Sequence, residues 1–190
     1  VDEPPLLVRP VLLIGMMGSG KTTVGRRLAE RRHATFVDLD RRIERIFGLS
    51  VAELFGHGEA QFRAHERAAL HALVNEPGFA GRGIVVATGG GAVLDDANVV
   101  VMRAHGPVVL MYVAPDQLGV RLSGAESSTR PLLSGLSNEA CVAQLTSLWH
   151  QREPAYRRAA TSTVDASGDV ETVTNQIETV LVAPNTCERE

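Results

Sequence analysis

Lysine is almost absent from this 190-residue chain: its nineteen cationic side chains are eighteen arginines and one lysine, Lys21. A GTPase switch reads guanine with an Asn-Lys-x-Asp motif and so needs a lysine beyond the one in its phosphate loop; the count excludes that class. Cysteine is scarce as well. Cys141 and Cys187 lie far apart with no Cys-x-x-Cys pair, which argues against a disulfide scaffold or a zinc site and for incidental thiols in a reducing cytoplasm. No apolar run reaches the length of a membrane helix; "VLLIGMM" and "VVLMYVA" suit buried strands. The acidic, proline-rich opening "VDEPPLLVRP" lacks the cationic-then-apolar order of a secretory signal. A net charge of -3 gives no overall attraction for nucleic acid or an anionic membrane, so neither is expected as a partner. What remains is a cytoplasmic globular chain, 44% hydrophobic and 22% charged, with core enough for one domain and no exposed apolar seam, hence a monomer.

Hydrophobic periodicity alternates between strand and helix. "VLLIG", "ATFVDLD", "GIVVATGGG", "PVVLMYVA" and "TSTVDASG" read as five strands. Helices are expected over "KTTVGRRLAERR", "RRIERIFG" closed by Gly48, residues 59–74, "DDANVVVMRAHG", "PDQLGVRLSG" and "DVETVTNQIETVLV". Ser50 and Glu53 have capping-box spacing before "VAELF". The stretch "EACVAQLTSLWHQREPAYRRAA" reads as helix kinked or broken at Pro154. Between residues 123 and 139 the chain turns polar and loses its period, as a lid would, and residues 183–190 read as a flexible tail. Such alternation predicts an α/β three-layer fold, a five-stranded parallel sheet flanked by helices, with ligands at the carboxyl ends of the strands.

Gly15-x-x-x-x-Gly20-Lys21-Thr22 is a phosphate-binding loop, and it lies between a predicted strand and a predicted helix, the context such a loop requires. Backbone N–H groups around Gly18, Ser19 and Gly20, with Thr22 and Thr23 at the helix start, would cradle phosphates. Lys21 would span the terminal two, and the Thr22 hydroxyl would face Mg²⁺. That need for a compact ammonium explains the one lysine in an arginine-rich chain. Asp38 and Asp40, two residues apart at a strand end, point the same way. One would reach the metal shell and the other an acceptor, or else the pair forms an Asx turn or helix cap. Gly89, Gly90 and Gly91 permit close backbone approach to a ligand. Arg63 and Glu66 lie one helical turn apart, so the acid can hold the guanidinium. A loop of this kind holds nucleotide phosphates without naming the acceptor.

The ordered set "GMMGSGKTTVGRRLA", "FVDLDRRIE", "GEAQFRAHE", "ATGGGAV", "STRPLL" and "EPAYRRAA" resembles the shikimate kinase family, from about Val11 to Leu181. The resemblance implies the nucleoside-monophosphate-kinase type of P-loop fold. Its core would be residues 8–40, 84–122 and 140–182, its substrate region 38–75 and its lid 123–139, all in a single domain over 1–182. It implies ATP as co-substrate, one Mg²⁺ per subunit, and transfer of a phosphoryl group to the 3-hydroxyl of shikimate, a step of aromatic amino-acid biosynthesis. By the same resemblance Arg63 and Arg157 clamp the substrate carboxylate, Asp40 meets the ring hydroxyls, and Gly89, Gly90 and Gly91 support the ring. Asp38 is the Mg²⁺-associated acid, Arg121 lies by the adenine, and Arg130 reaches over from the lid. Phe55 and Phe62 fit the apolar wall of the pocket. Lys21, Asp40 and Arg130 carry catalysis on this reading.

Overall fold

A computed structural model describes residues 9–122, 133 and 136–182. Arg130, most of the expected lid and the 183–190 tail lie outside the described residues. Five strands, β1 (Val11–Ile14), β2 (Thr35–Asp38), β3 (Ile84–Ala87), β4 (Val108–Tyr112) and β5 (Ser162–Asp165), form one sheet. Every pairing is parallel and the order is β2-β3-β1-β4-β5. Helices cover both faces, so the three central strands are buried along almost their whole length; Leu12, Leu13, Ile14, Val85, Val86, Val108 and Val109 are all fully buried. Each such side chain contributes about 1.5–3 kcal/mol relative to exposure, and the unbroken apolar runs follow from burial on both sides.

The helices are α1 (Lys21–Arg31), α2 (Leu39–Phe47), α3 (Val51–Gly56), α4 (Glu59–Val74), α5 (Asp96–His105), α6 (Pro115–Leu122), α7 (Asn138–Ala159) and α8 (Val170–Val182). Their ends follow their caps. Gly48 closes α2 at φ 71°, and Ser50 with Glu53 makes a reciprocal capping box on α3. Asp95 caps α5 by accepting from the Ala97 N–H.

Two local expectations change. Strand β2 stops at Asp38, and Asp40 sits in the first turn of α2 rather than at a strand end. Asp38 is the residue that caps that helix, its Oδ1 accepting from the Arg41 N–H at 3.2 Å. The two carboxylates therefore come together through a helix start, not through strand alternation. Pro154 does not break α7, which runs through it for 22 residues. Packing of the helix on β4 and α6 holds it together where proline removes one backbone donor.

Candidate active site

Order β2-β3-β1-β4-β5 brings the ends of β1, β2 and β3 side by side, and a cleft of about 1050 Å³ opens above them. Its floor is the loop between β1 and α1. Gly20 takes φ 89° there, a left-handed value that suits glycine, and so turns the chain into the α1 N-terminus. Lys21 Nζ folds back over the loop, donating to the carbonyls of Gly15 at 2.8 Å and Met16 at 2.9 Å. Gly18, Ser19, Gly20, Lys21, Thr22 and Thr23 all line the cleft.

The Thr22 hydroxyl donates to Asp38 Oδ2 at 2.7 Å, so the hydroxyl and carboxylate suited to Mg²⁺ are adjacent. Among the described residues no three His, Cys, Asp or Glu side chains gather into a metal site. An ion here would have one hydroxyl and one carboxylate from the protein, with phosphates and water completing its shell. That donor set fits Mg²⁺, which keeps much of its water.

At the opposite end, Asp40, Arg63, Glu66, Gly89, Gly91 and Arg152 converge. Arg63 Nη1 donates to Glu66 at 2.7 Å and Nη2 to Glu59 at 3.0 Å, and the guanidinium lies about 5.3–5.4 Å from the rings of Phe62 and Phe55. Burial works against its charge, but Glu66 and Glu59 outweigh that and hold it cationic. Glu66 is fully buried; burial pushes its carboxyl above the usual range, and the opposing pull of Arg63 does not cancel it. Asp40 is pushed above the usual carboxylate range by burial and then by Asp38, with Lys21 opposing.

Glu66 Oε1 and Asp40 Oδ1 are both buried without a partner. They aim at one place, for a methyl group on Gly89 would collide with Glu66 Oε1 and lie 2.9 Å from Asp40 Oδ1. A methyl group on Gly91 would run into the Arg63 guanidinium. Any side chain at either glycine would fill the space in which these groups meet. Two carboxylates that line the cleft, each with a buried oxygen left without a partner, are suited to the hydroxyls of a polyol.

The structure corrects one residue. Arg157 does not line the cleft; its guanidinium is bound to Glu153 at 2.6–2.8 Å on its own helix, and the side chain is 67% exposed. The second inward guanidinium belongs to Arg152, which is 7% exposed and reaches the Gly90 carbonyl at 3.5 Å. At about 100° per residue, position 157 lies roughly 140° around α7 from 152. An arginine at 157 therefore points to water whenever one at 152 points inward. Sequence reasoning missed Arg152, although it falls in register with Cys141, Leu145, Leu148 and Tyr156 on the buried face of α7.

At the nucleotide end, Arg121 Nη2 donates to the carbonyls of Ala166 at 3.0 Å and Ser167 at 2.7 Å. This joins the end of α6 to the loop after β5, beside Gly168, Asp169 and Val170 at the start of α8. Tyr156 is fully buried, its hydroxyl donates to the Gly90 carbonyl, and burial pushes its phenol far above the ordinary range.

A parallel sheet in this order, a phosphate loop, and a polar acceptor pocket across the same cleft define a P-loop phosphotransferase of the nucleoside-monophosphate-kinase type. The shikimate kinase (SKI) family model matches residues 17–182. The chain belongs to the shikimate kinase family. It is similar to the shikimate kinase of Stenotrophomonas maltophilia K279a, 43% identical over 156 residues, 82% of this chain and 81% of that protein. It is also similar to that of Aromatoleum aromaticum EbN1, 41% identical over 90% of this chain and 93% of the relative. Among solved structures, the shikimate kinase of Acinetobacter baumannii in complex with shikimate superposes with a TM-score of 0.83. That match has 31% identity and covers 95% of this chain and 96% of the other.

Proposed function

We propose that this enzyme transfers the γ-phosphoryl group of ATP to the 3-hydroxyl of shikimate, giving ADP and shikimate 3-phosphate. One observation carries the reading. Two inward guanidiniums, Arg63 and Arg152, and the carboxylate of Asp40 face the phosphate loop across a single cleft. A planar carboxylate on a ring with adjacent hydroxyls is a ligand that matches two guanidinium forks beside the carboxylates of Asp40 and Glu66.

In this reading Arg63, held by Glu66 and Glu59, and Arg152, held near Gly90, grip the substrate carboxylate. Asp40 accepts a hydrogen bond from the attacking hydroxyl and is placed to take its proton. The amides of the phosphate loop, with Lys21, bind the β- and γ-phosphates, and Arg121 sits at the base end. Thr22 and Asp38 would hold Mg²⁺, which when bound supplies charge neutralisation on the phosphates. Phosphoryl transfer asks little covalent chemistry of a protein, so positioning and charge complementarity supply most of the rate. Arg130 of the lid is assigned to the transferring phosphate through the family resemblance.

A coupled ADP assay with shikimate, quinate and gluconate side by side tests the substrate. Shikimate-dependent ADP release well above that with the other two is expected. Equal or greater turnover with gluconate, or none with shikimate in the presence of Mg²⁺, would overturn the reading.

A further inference from the structure

Resting on that reading, we propose that Tyr156 is a positioning residue for the acceptor. By holding the Gly90 carbonyl it fixes the glycine loop and leaves the Arg152 guanidinium to the substrate carboxylate. Arg152 and Tyr156 are four residues apart on α7, hence on one face, and both reach the same oxygen. They do so unequally. The phenol bonds Gly90 O at 2.5 Å, whereas Arg152 Nη1 stands at 3.5 Å, the outer limit of a hydrogen bond. Tyrosine thus holds the carbonyl, and arginine, which also donates to the phenol oxygen, stays close to that carbonyl without being committed to it.

The hydroxyl is delivered by a rigid stack. The Tyr156 ring lies on Trp149 with centroids 5.8 Å apart and planes 17° from parallel, and Trp149 packs on Tyr112 of β4 at 4.9 Å. Central strand, three rings and glycine loop are therefore joined in one continuous chain of contacts. In a trans peptide the carbonyl and the following N–H are antiparallel. Fixing Gly90 C=O toward α7 therefore also fixes the direction of the Gly91 N–H, in a segment that lines the cleft. At its depth Arg152 meets the phenol oxygen and feels the charge of Glu66. Deprived of the phenol, the Gly90 carbonyl would draw in the nearest donor, and a charged guanidinium is a strong one.

The test is Tyr156→Phe, which removes one oxygen and keeps the ring stack. Steady-state kinetics should give a KM for shikimate raised about tenfold, with KM for ATP and kcat close to the unaltered enzyme. A second arm makes Tyr156→Phe in an Arg152→Ala background. There the tyrosine change should raise shikimate KM by clearly less than in the native background, because part of its influence runs through Arg152 and only the hold on the glycine loop is left. An unchanged shikimate KM in Tyr156→Phe, a parallel rise in both substrates' KM, or full additivity with Arg152→Ala would overturn the role.

If Tyr156→Phe does not fold, the native protein decides. Trp149 is the sole tryptophan and stacks on Tyr156, so shikimate without nucleotide should change its emission saturably. No change at saturating shikimate would overturn the proposal. A native enzyme inactive on shikimate would remove the functional reading and this role with it. An active native enzyme with an indifferent Tyr156→Phe would remove only the role of the tyrosine.

Discussion

At position 152 an arginine stands where α7 otherwise buries carbon, and five residues on another arginine reaches water. The two make a paired prediction. Arg152→Ala should weaken shikimate affinity about ten- to hundredfold, the range for a lost hydrogen bond to a charged group. Arg157→Ala should leave it unchanged, and isothermal titration with shikimate separates the two. Asp40 supports a second prediction. Asp40→Asn keeps the shape but loses the acceptor charge, so turnover in the ADP assay should fall about 10²–10⁴-fold while nucleotide affinity holds. Burial and Asp38 raise this carboxyl above the ordinary range, which has two consequences. Below the raised value Asp40 is protonated and cannot take the hydroxyl's proton, so kcat/KM for shikimate should drop on an acid limb displaced upward from the ordinary carboxylate range. For stability the sign is opposite. A carboxyl that holds its proton more tightly when folded favours the folded state at low pH, and that benefit is lost as pH rises through the raised value. At neutral pH Asp40→Asn should therefore melt at a higher temperature than the native enzyme.

Among the elements, those with strong local signals were legible in advance. Helix α4 spans 59–74 as its period and the following "NEPG" predict, and the Ser50–Glu53 box opens α3 where its spacing says it should. Elements that depend on distant contacts were less so. The start of α2 depends on Asp38 serving both as cap and as partner of Thr22, sixteen residues earlier, which no window around "FVDLD" contains. The continuity of α7 through Pro154 depends on packing that outweighs local propensity. Within the site, residues carried by contiguous motifs were readable: the phosphate loop, Asp38, Asp40, Arg63 and the three glycines. Arg152 was not, because an arginine on an apolar stripe reads as a defect until the cleft beneath it is known. Helices α1 and α8 show a further long-range tie. Glu178 accepts from Arg31 and Arg32 at 3.0 Å each, and Arg31 also meets Glu171 at 3.1 Å. Glu178→Ala should lower unfolding stability in urea by about 1–2 kcal/mol, since Arg32 is 5% exposed and loses a carboxylate there.

For the molecule as a whole, the proposed placement of Mg²⁺ on Thr22 and Asp38 sets how the cleft should depend on its contents. The sheet and its helices form around an apolar core that includes neither Thr22 nor Asp38. On that proposal folding should not wait on an ion. On that proposal one hydroxyl and one carboxylate are too few to retain Mg²⁺ by themselves, and nucleotide phosphates would complete the shell. The two dependences should therefore separate. Chelation with EDTA should abolish shikimate-dependent ADP release, and the melting temperature of the nucleotide-free protein should not move. With ATP present, Mg²⁺ should raise that temperature further than ATP alone, because the ion and the nucleotide bind the folded state together. Thermal shift in the four combinations of ATP and EDTA checks this. A fall in the melting temperature on adding EDTA without nucleotide would mean that the ion is part of the fold rather than of the reacting complex.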